Sequence, residues 1–549
     1  MREKLLGKQK LFYRRLDILK KSLWMLVMLL MTLALVLAAC NSNEGNGETE
    51  ENSNEGNNVE SDADGESSDS ITVAIEQDFI SLDPHDVGDT VSIFGTRSMY
   101  EGLVGFDKNM EIQPVLAEDY EVNENSTEFT FKLRENVTFH DGEPFNAEAV
   151  KANFERIMNE ELRSNRNLQY LENIEILGDY EIKFTLSQPF SAMLNKFAMI
   201  LMASPEAFSN NPDDFALNPV GTGAFKFQEW KQGDSMVVAK NEDYWGDLGT
   251  NVQQVTFRPV PENGSRVAML QTGEADFIYP VPHNNVEELE SDENIVIEET
   301  PSTIARYVSI NTKKEPFDDV KVRQAMNHAV DQEAFLAVVK SGYGEPLSST
   351  MSSKTQHYAE QELYEANIEK AKELMAEAGY EDGFSAEIWG NTASETNTGM
   401  QFVQQQLAQI GIDLEVRSME EATLSDSIYT PETAEETDLQ MWYVSWSPSS
   451  GDADGATRSL FHNEFSPPEG ANTAYYDNQQ VSDWIDEANQ TGDVEEQKEI
   501  YAQIQETVYS EAPWIFLGSD TILSGYSSSL EGVYVLPDGS VSIRNANLK

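Results

Sequence analysis

Few residues in this 549-residue sequence are of a type and spacing suited to covalent or metal chemistry. Cys40 is the only thiol, so a disulfide within the chain and a cysteine-based metal framework are both excluded. The sequence contains no G-x-S-x-G, Walker A or H-E-x-x-H motif, which are patterns of serine hydrolases, phosphate-binding loops and zinc proteases. Its six histidines lie at least 29 residues apart, at His85, His140, His283, His328, His357 and His462.

A metal site that folding assembles from distant histidines stays open, although a single histidine more commonly takes a surface or core position. Pairs of carboxylates are equally uninformative, because 96 Asp and Glu residues place many of them side by side. We therefore predict a protein without catalytic residues, without a metal and without a cofactor. The rival interpretation from a different class, a secreted hydrolase, is disfavoured because it lacks both a nucleophile motif and a metal motif.

The charge balance excludes a further class of function. Lys and Arg total 37 against 96 Asp and Glu, which gives a net charge of −59 at pH 7. A nucleic-acid-binding protein needs a basic surface to displace counterions, so nucleic acid is not an expected partner. We interpret the acidic surface as adaptation to a salty or alkaline habitat, in which salt screens the self-repulsion; acidity acquired by drift is the alternative.

The N-terminus reads as an export signal over residues 1–39. Residues 1–21 hold eight Lys and Arg, and residues 22–39 form an uncharged apolar run. A membrane-spanning signal anchor is the alternative, since these 18 residues are just long enough to cross a bilayer. The run ends in Leu37-Ala38-Ala39-Cys40, which resembles the bacterial lipoprotein lipobox.

The lipobox resemblance implies that Cys40 is diacylated and anchors the chain in the cell membrane, facing the extracellular or periplasmic side. Residues 40–70 follow as an acidic stretch rich in Asn and Ser, with almost nothing to bury. Such a composition predicts a disordered tether between the lipid and the folded body.

The remaining chain mixes strands and helices without a strict repeat, which predicts an α/β or α+β body. Alternating apolar residues indicate a strand at Ile71–Ile75, and a helical stripe indicates a helix at Asn146–Met158. In the second half, helical spacing extends over Val320–Ser341, with Asp318 or Asp319 as the N-cap. We place a boundary between the two halves near residues 300–306.

Three stretches resemble the bacterial extracellular solute-binding proteins of family 5, the peptide- and nickel-type receptors of ABC importers. They are Phe129–Ile157, Asn218–Phe227 and Arg306–Asp331. Within that family, the C-terminal part is similar to glutathione-binding receptors, and four further stretches carry this similarity: Leu270–Phe277, Val444–Asp454, Thr473–Asp483 and Glu511–Leu517.

The resemblance implies an α/β fold of the periplasmic-binding-protein type, with two lobes, an extra subdomain in the first lobe and a ligand cleft between the lobes. Lobe I would comprise a main subdomain and the extra subdomain, and lobe II would be continuous. The expected ranges are 71–111, 219–303 and 526–549 for the main subdomain, 112–218 for the extra subdomain and 304–525 for lobe II. The liganded, closed form would be the one that an ABC permease and ATPase complex accepts.

One departure from the family pattern bears on the ligand. Dipeptide and oligopeptide receptors of the family place an Asp three residues after a cleft Trp, where it pairs with the α-amino group of the peptide. Here Trp446 is followed three residues later by Ser449. In glutathione the free α-amino group lies on a γ-linked glutamyl arm, so the loss of this Asp favours glutathione over ordinary peptides.

The candidate ligand contacts follow from this resemblance and from charge. Arginine can grip a carboxylate of the ligand with two hydrogen bonds, and a buried Asp can accept from its ammonium group. Trp446 is expected to stack on the ligand. The full candidate set is Arg163, Arg166, Thr222, Arg306, Tyr307, Trp446, Ser449, Asp452 and Asp454.

These observations together predict a lipid-anchored receptor that captures glutathione or a similar small peptide and delivers it to an ABC permease. A broader dipeptide or oligopeptide receptor is the nearest alternative, and capture of a nickel chelate is a less favoured one.

Overall fold

The computed structural model describes residues 69–160, 162–212 and 214–549, which belong to one compact unit, Glu66–Lys549. The predicted signal (1–39), the lipid site Cys40 and all but the last two residues of the tether lie outside the described residues. In the described part of the chain, no helix is long and apolar enough to cross a membrane. That same part contains no group of three or more His, Cys, Asp or Glu side chains arranged to hold a metal ion.

The strands, in chain order, are β1 Ser70–Ile75, β2 Glu101–Gly102, β3 Val104–Phe106, β4 Ile112–Pro114, β5 Ala117–Val122, β6 Glu128–Leu133, β7 Leu171–Gly178, β8 Glu181–Leu186, β9 Leu201–Met202, β10 Phe225–Lys231, β11 Ser235–Lys240, β12 Gln254–Pro259, β13 Phe277–Tyr279, β14 Ile295–Ile310, β15 Phe384–Asn391, β16 Ile412–Met419, β17 Met441–Trp446, β18 Trp514–Ser527, β19 Leu530–Glu531, β20 Tyr534–Val535, β21 Val541–Ser542 and β22 Asn547–Leu548. The α-helices are α1 Thr90–Met99, α2 Ala147–Asn159, α3 Met193–Ala198, α4 Pro205–Asn210, α5 Asn263–Thr272, α6 Val286–Glu290, α7 Val320–Ala329, α8 Gln332–Val339, α9 Ile368–Glu377, α10 Ser394–Leu407, α11 Glu421–Tyr429, α12 Ala453–Phe461, α13 Gln479–Ala488 and α14 Val494–Glu511.

A ten-stranded mixed sheet runs through the whole body in the order β10-β11-β12-β1-β13-β18-β14-β17-β15-β16. Its first half is built around β1, which is parallel to both β12 and β13. Its second half ends in the parallel pair β15 and β16. The predicted strand at Ile71–Ile75 is confirmed as β1.

The long antiparallel strands β14 and β18 connect the two halves of this sheet. Their pairing shifts register between Pro301 and Ala305, at the place where the sequence predicts the boundary between the halves. The Ser302 hydroxyl donates to the Asp520 carbonyl oxygen across this irregularity at 2.7 Å. Residues 300–306 therefore belong to a continuous strand with an irregular pairing and do not form a loop.

A separate four-stranded antiparallel sheet, β5-β6-β8-β7, packs with α2 around its own aromatic core. Helix α2 begins after Asn146, whose side chain accepts from the backbone N–H of Ala149. This confirms the predicted helix at 146–158 and its N-terminus. Phe131, Phe184 and Phe197 make edge-on or tilted ring contacts in this core.

The predicted single helix over 320–341 is wrong, because the segment forms two helices, α7 and α8. Asp319 caps the first by accepting from the backbone N–H of Lys321 at 2.8 Å. Val330 then adopts an extended conformation, and Asp331 caps the second helix by accepting from Ala334. The apolar spacing continues through the break, so periodicity could not reveal it, whereas Asp331 is an N-cap signal.

The sheet is buried between separate apolar clusters in each half. One cluster packs α1 against β1, β11 and β12, together with the C-terminal residues 530–546. In the other half, α7, α8 and α10 cover one face of β14, β15 and β17, while α12, α13 and α14 cover the opposite face of β14 and β18. The strands joining the halves thus emerge from two independently packed bodies.

Candidate functional site

Strand β17 has one edge that is only partly paired. On one side it pairs with β14 along its whole length, from Met441 to Trp446. On the other side β15 pairs with it only at Met441 and Trp442. The edge of β17 over 443–446 is thus not continued by β15, and its outward backbone N–H and C=O groups are available to an added strand.

A cavity of about 340 Å³ lies beside this edge. Residues from β14, β15, β17, α10, α11 and α12 line it, and its polar or aromatic members include Arg306, Tyr307, Asn391, Glu421, Trp442 and Trp446. Glu421 is exposed and accepts a hydrogen bond from the Asn391 amide at 3.1 Å. The cavity thus combines an open strand edge, indole rings and a carboxylate.

The Trp446 side chain is fixed against the first turn of α12. Its indole Nε1 donates to the backbone carbonyl of Gly455 at 3.1 Å, and the ring remains partly exposed. A fixed, partly exposed indole provides a flat apolar surface at little entropic cost to a ligand. The structure thus brings the predicted stacking residue to the cavity.

Arg306 also lines the cavity, but its guanidinium has protein partners. It donates to both carboxylate oxygens of Asp520, at 2.9 and 2.6 Å, and lies 3.2 Å from Glu395. Lys340 pairs with the same two carboxylates, at 3.0 Å from Glu395 and 3.2 Å from Asp520. Although burial opposes ionisation of Asp520, Arg306 and Lys340 hold its pKa below the usual range.

Tyr307 and Thr222 are both buried and contact other protein side chains. Tyr307 is 2 % exposed and stacks on Trp514, with ring centroids 3.5 Å apart. Thr222 is fully buried and donates to Glu101 at 3.0 Å, outside the lining of the cavity beside β17. The burial of Glu101 raises its pKa, against the hydrogen bonds that it accepts. Thr222 therefore does not reach this cavity, whereas Tyr307 is one of the residues that line it.

Ser449 lies in the turn after β17 and is exposed. The neighbouring Ser447 hydroxyl is hydrogen-bonded to that of Thr303 at 2.7 Å, so this turn touches the interruption of β14. The exposed position leaves room for a longer side chain at residue 449.

The two predicted ammonium acceptors, Asp452 and Asp454, are both engaged by protein groups. Asp452 caps α12, accepts from Gly455 N–H at 2.8 Å and pairs with Lys196 at 2.9 Å. Burial alone would raise the pKa of Asp452, but Lys196 and the hydrogen bonds that this carboxylate accepts lower it. Asp454 accepts from Arg458 at 2.9 Å, and burial raises its pKa. Both carboxylates are thus buried at the start of α12, where protein groups already bind them.

Arg163 and Arg166 lie apart from the cavity, on a short 3-10 helix, Arg163–Leu168. The Arg163 guanidinium packs against Gly88, where an added Cβ would lie 2.4 Å from one of its nitrogens. Burial, followed by the charge of Arg163, lowers the pKa of Arg166. The structure therefore groups these two arginines with each other and separates them from Arg306 and Trp446.

Sequence reasoning missed Trp442, Asn391 and Glu421. Trp442 has a signal in the sequence, because it shares the alternation of β17 with Trp446 and so lies on the same face. Asn391 and Glu421 come from the end of another strand and the start of a distant helix. No local pattern marks them.

A family model described as the bacterial extracellular solute-binding proteins, family 5 middle region, matches residues 111–467. A glutathione-binding protein, GsiB, of Pectobacterium atrosepticum is 37 % identical over 481 residues, which covers 87 % of this chain and 93 % of the relative. The GsiB protein of Salmonella typhi is likewise 37 % identical over 484 residues, covering 87 % of this chain and 94 % of that relative.

Two solved structures of solute-binding proteins also superpose on this chain. HbpA2 from Haemophilus parasuis superposes with a TM-score of 0.80 at 26 % identity, covering 87 % of this chain and 100 % of that one. The periplasmic binding protein DppA from Helicobacter pylori, in complex with the peptide STSA, superposes with a TM-score of 0.70 at 27 % identity, covering 87 % and 98 %. These matches confirm the predicted two-lobed α/β fold.

Proposed function

We propose, from the premise that this chain belongs to the bacterial extracellular solute-binding proteins of family 5, that it captures glutathione or a closely similar small peptide and hands it to an ABC permease and ATPase complex. Members of this family are transport receptors, and this chain is a solute-binding receptor of an ABC importer that acts outside the cytoplasm. The absence of a nucleophile or metal motif in its sequence supports binding without turnover.

The open edge of β17 carries this proposal. An extended peptide bound there would add a strand to the sheet and satisfy the outward backbone groups of residues 443–446. Trp446 would then cover an apolar part of the ligand, beside a cavity of about 340 Å³. A cavity of that size suits a tripeptide-sized molecule rather than a long peptide.

The charged groups at this cavity suit a ligand with both signs of charge. Glutathione carries two carboxylates and one ammonium group. Glu421 is exposed and, among the described residues, accepts a side-chain hydrogen bond only from Asn391, so it is our proposed acceptor for the ammonium. Arg306 lines the cavity and is our proposed partner for a ligand carboxylate, which would share the guanidinium with Asp520.

Ser449 and its neighbours favour glutathione over ordinary peptides. An α-ammonium in the position used by dipeptide receptors would meet a serine hydroxyl instead of a carboxylate. Asp452 and Asp454 cannot replace the missing Asp without giving up Lys196 and Arg458. The GsiB relatives at 37 % identity support the same ligand.

A broader peptide receptor is the second candidate. The observation that favours it is the superposition on DppA of Helicobacter pylori, which holds a four-residue peptide. Under this alternative, ordinary dipeptides would bind this chain more tightly than glutathione does.

The division of the body into lobes is a proposal, with the ranges expected from the sequence. We propose 71–111, 219–303 and 526–549 for the main subdomain of lobe I, 112–218 for its extra subdomain and 304–525 for lobe II. The separate core of β5–β8 and α2 supports the extra subdomain. The register shift in β14 between Pro301 and Ala305 supports a hinge there.

Lipid attachment at Cys40 is the proposed anchor, on the strength of the lipobox sequence. Two acyl chains hold a protein firmly at a membrane, whereas one chain holds it marginally. We expect Cys40→Ser to release the protein from the membrane fraction of a bacterial host, because the chain has no other thiol. A fully processed Cys40→Ser protein that stays in the membrane fraction would contradict this anchor.

Isothermal titration calorimetry tests the ligand assignment. The mature protein is titrated with reduced glutathione, oxidised glutathione, dipeptides and nickel ions, and each mixture is then analysed for cleavage. We expect the tightest binding with a form of glutathione and no cleaved product. Tighter dipeptide binding would favour the broader receptor, and cleavage would favour the hydrolase.

A further inference from the structure

Two histidines join the proposed main subdomain of lobe I to its extra subdomain. His85 belongs to the main subdomain, and its Nε2 lies 2.9 Å from the Leu201 carbonyl oxygen of the extra subdomain. His140 belongs to the extra subdomain, and its Nε2 lies 3.0 Å from the Gly223 carbonyl oxygen of the main subdomain. We call this contact the seam; it comprises residues 83–85 and 220–223 on one side and 140, 156 and 201–204 on the other.

The partners of His85 fix its ring in a neutral form. The Leu201 carbonyl oxygen can only accept, so Nε2 carries the hydrogen. The Arg156 guanidinium can only donate, and its Nη1 lies 2.9 Å from Nδ1, so Nδ1 carries no hydrogen. A proton added at Nδ1 would point at a cationic donor, and this contact would be lost.

His140 is fixed in the same neutral form. The backbone N–H of Gly221 donates to its Nδ1 at 3.3 Å, while its Nε2 donates to Gly223. The glycine turn cannot move aside easily, because an added Cβ on Gly223 would lie 2.6 Å from the carbonyl carbon of Met99. A proton added at Nδ1 would therefore meet the Gly221 N–H across a contact that has no slack.

The charged groups around His85 form a closed pair. Asp83 accepts from Arg156 at 3.0 and 2.5 Å, and both side chains are more than nine-tenths buried. Burial is the largest influence on His85 and lowers its pKa to about 4; Asp83 favours the protonated ring, and Arg156 opposes it. Tyr100, a phenol whose pKa burial raises, and Glu160, which lies 3.4 Å from Arg156, also adjoin this pair.

Lys226 and Asp141 act in opposite directions on His140. Burial is again the largest influence and lowers the pKa of His140 to about 4, while Lys226 adds to this effect and Asp141 opposes it. Lys226 itself pairs with Asp243, and Glu143 in the same turn as His140 is exposed. Neither carboxylate of the turn thus compensates for the burial of the ring.

Acid should therefore open the seam. Each ring is neutral while the seam is closed and can take up a proton once it is open, so the closed form loses stability as the pH falls below the ordinary histidine value of about 6.5. The loss continues until the pH reaches about 4, where the rings of the closed form are protonated as well. Within this window the open fraction rises by up to about tenfold per pH unit for each histidine.

We propose that the seam is an acid-sensitive lock, in which uptake of one proton by each of His85 and His140 frees the extra subdomain from the main subdomain before lobe II unfolds. The receptor acts outside the cytoplasm, so the pH of the medium reaches this lock directly. The extra subdomain also carries Lys196, which pairs with Asp452 of lobe II at 2.9 Å, so the lock bears on how firmly the turn after β17 is held. The proposal does not depend on the identity of the ligand.

Hydrogen exchange of the mature protein at pH 7.5, 6 and 5 tests the lock, with each rate corrected for the intrinsic effect of pH on exchange. The backbone N–H of His140 donates to the Gly221 carbonyl at 2.8 Å, and that of Gly221 donates to the His140 ring, so both amides report on the seam. We expect them to exchange at least about thirtyfold faster at pH 5 than at pH 7.5, since two protons are taken up on opening. Strand β15 of lobe II should change less than about threefold.

Two substitutions remove the titration but keep an acceptor near the position of Nδ1. They are His85→Asn and His140→Asn, and we expect each to lower the stability of the seam at pH 7.5 while it removes about half of the pH dependence. The double variant should show almost none. The slope of the logarithm of the exchange rate against pH measures this, and a purely structural role would leave that slope unchanged.

His328→Asn is the matched control in lobe II. The His328 Nδ1 donates to the Glu365 carbonyl at 2.8 Å, and its Nε2 makes no hydrogen bond within the described residues. This ring can take up a proton without breaking a hydrogen bond, so His328→Asn should keep the pH dependence of the parent seam.

The result that supports the lock is faster seam exchange at pH 5 in the parent and in His328→Asn, with the slope reduced in each single variant. Seam exchange that does not change between pH 7.5 and 5 in the parent would overturn it, and this measurement needs no variant. A slope that persists in full in both single variants would also overturn it. Equal acceleration in β15 would do the same, because the whole body would then unfold together.

Discussion

The end of β17 and the turn that follows it differ in how far the protein satisfies their polar groups. Over 443–446 the strand leaves one edge unpaired, and Trp446 stays partly exposed. A few residues later, Asp452 and Asp454 are buried and each has a cationic partner, Lys196 and Arg458. The unpaired backbone groups and the exposed indole are suited to binding a ligand. The buried, paired carboxylates instead hold the binding surface in place.

The partners of the turn come from far away in the chain. Lys196 lies in the last turn of α3, and its Nζ donates to both the Ser450 hydroxyl and the Asp452 carboxylate. The Asn195 amide donates to the Ser450 carbonyl at 3.0 Å. The turn is thus fixed from two sides, by α12 and by α3, which keeps β17 and Trp446 in position.

Removal of Lys196 should produce the largest effect. In Lys196→Met the Asp452 carboxylate, whose side chain is 2 % exposed, would stay buried without its cation. Breaking a buried pair from one side costs about 3–5 kcal/mol, so we expect a loss of about 3 kcal/mol in the free energy of unfolding. Urea denaturation measures it.

Lys226→Met is the matched control for that variant. Lys226 pairs with Asp243 at 3.3 Å, but the Asp243 side chain is 84 % exposed. An exposed pair contributes about 0–1 kcal/mol, so this variant should unfold almost as the parent does. Equal losses in the two variants would show that the turn is not held by its buried pair.

Replacement of Trp446 should affect binding far more than folding. We expect Trp446→Ala to weaken glutathione about thirtyfold, since an aromatic anchor in a pocket commonly contributes about 2 kcal/mol. Trp446→Phe keeps a ring and should lose less. Calorimetry measures both, and a Trp446→Ala protein that binds as the parent does would remove the open edge of β17 from the site.

Ser449→Asp should separate the two peptide hypotheses. A carboxylate at 449 restores the partner for the α-ammonium of an ordinary peptide, so dipeptide binding should hold or improve. Glutathione brings carboxylates, and like charges about 4 Å apart repel by about 4 kcal/mol at an effective dielectric of 20. Part of that repulsion is enough for a tenfold loss of glutathione affinity. Unchanged glutathione binding with improved dipeptide binding would contradict the γ-linked geometry.

Salt should produce the smallest effect, and it should act on the exposed carboxylates rather than on the buried pairs. With a net charge of −59, self-repulsion is relieved when the screening length falls to about 3 Å at 1 M salt. We expect the melting temperature to rise by several degrees between 0.1 and 2 M NaCl. A flat or falling melting temperature would contradict the interpretation of the acidic surface as an adaptation to salt.

The sequence was informative where a pattern is local. The strand β1 and the helix α2 with its cap at Asn146 are each encoded within a few residues. Periodicity failed at Val330, because the apolar spacing of α7 continues into α8 through the break. A cap residue, Asp331, was the local sign of that break.

The site was only partly predictable for the same reason. Arg306, Tyr307 and Trp446 were named from a resemblance, and all three line the cavity. The sequence could not reveal that Asp452 is bound within the protein, because its partner, Lys196, lies 256 residues away in the chain. Whether a carboxylate is open to a ligand is decided by long-range partners, and no spacing rule within one sequence gives them.

Hydrogen exchange measured by mass spectrometry tests most directly whether the ligand binds along the open edge of β17. The mature protein is compared with and without saturating glutathione. The account predicts slower exchange at 443–446 on binding, and little change in Glu298 and Glu299, which already pair with β18. Glutathione binding seen by calorimetry, with exchange at 443–446 unchanged, would contradict it.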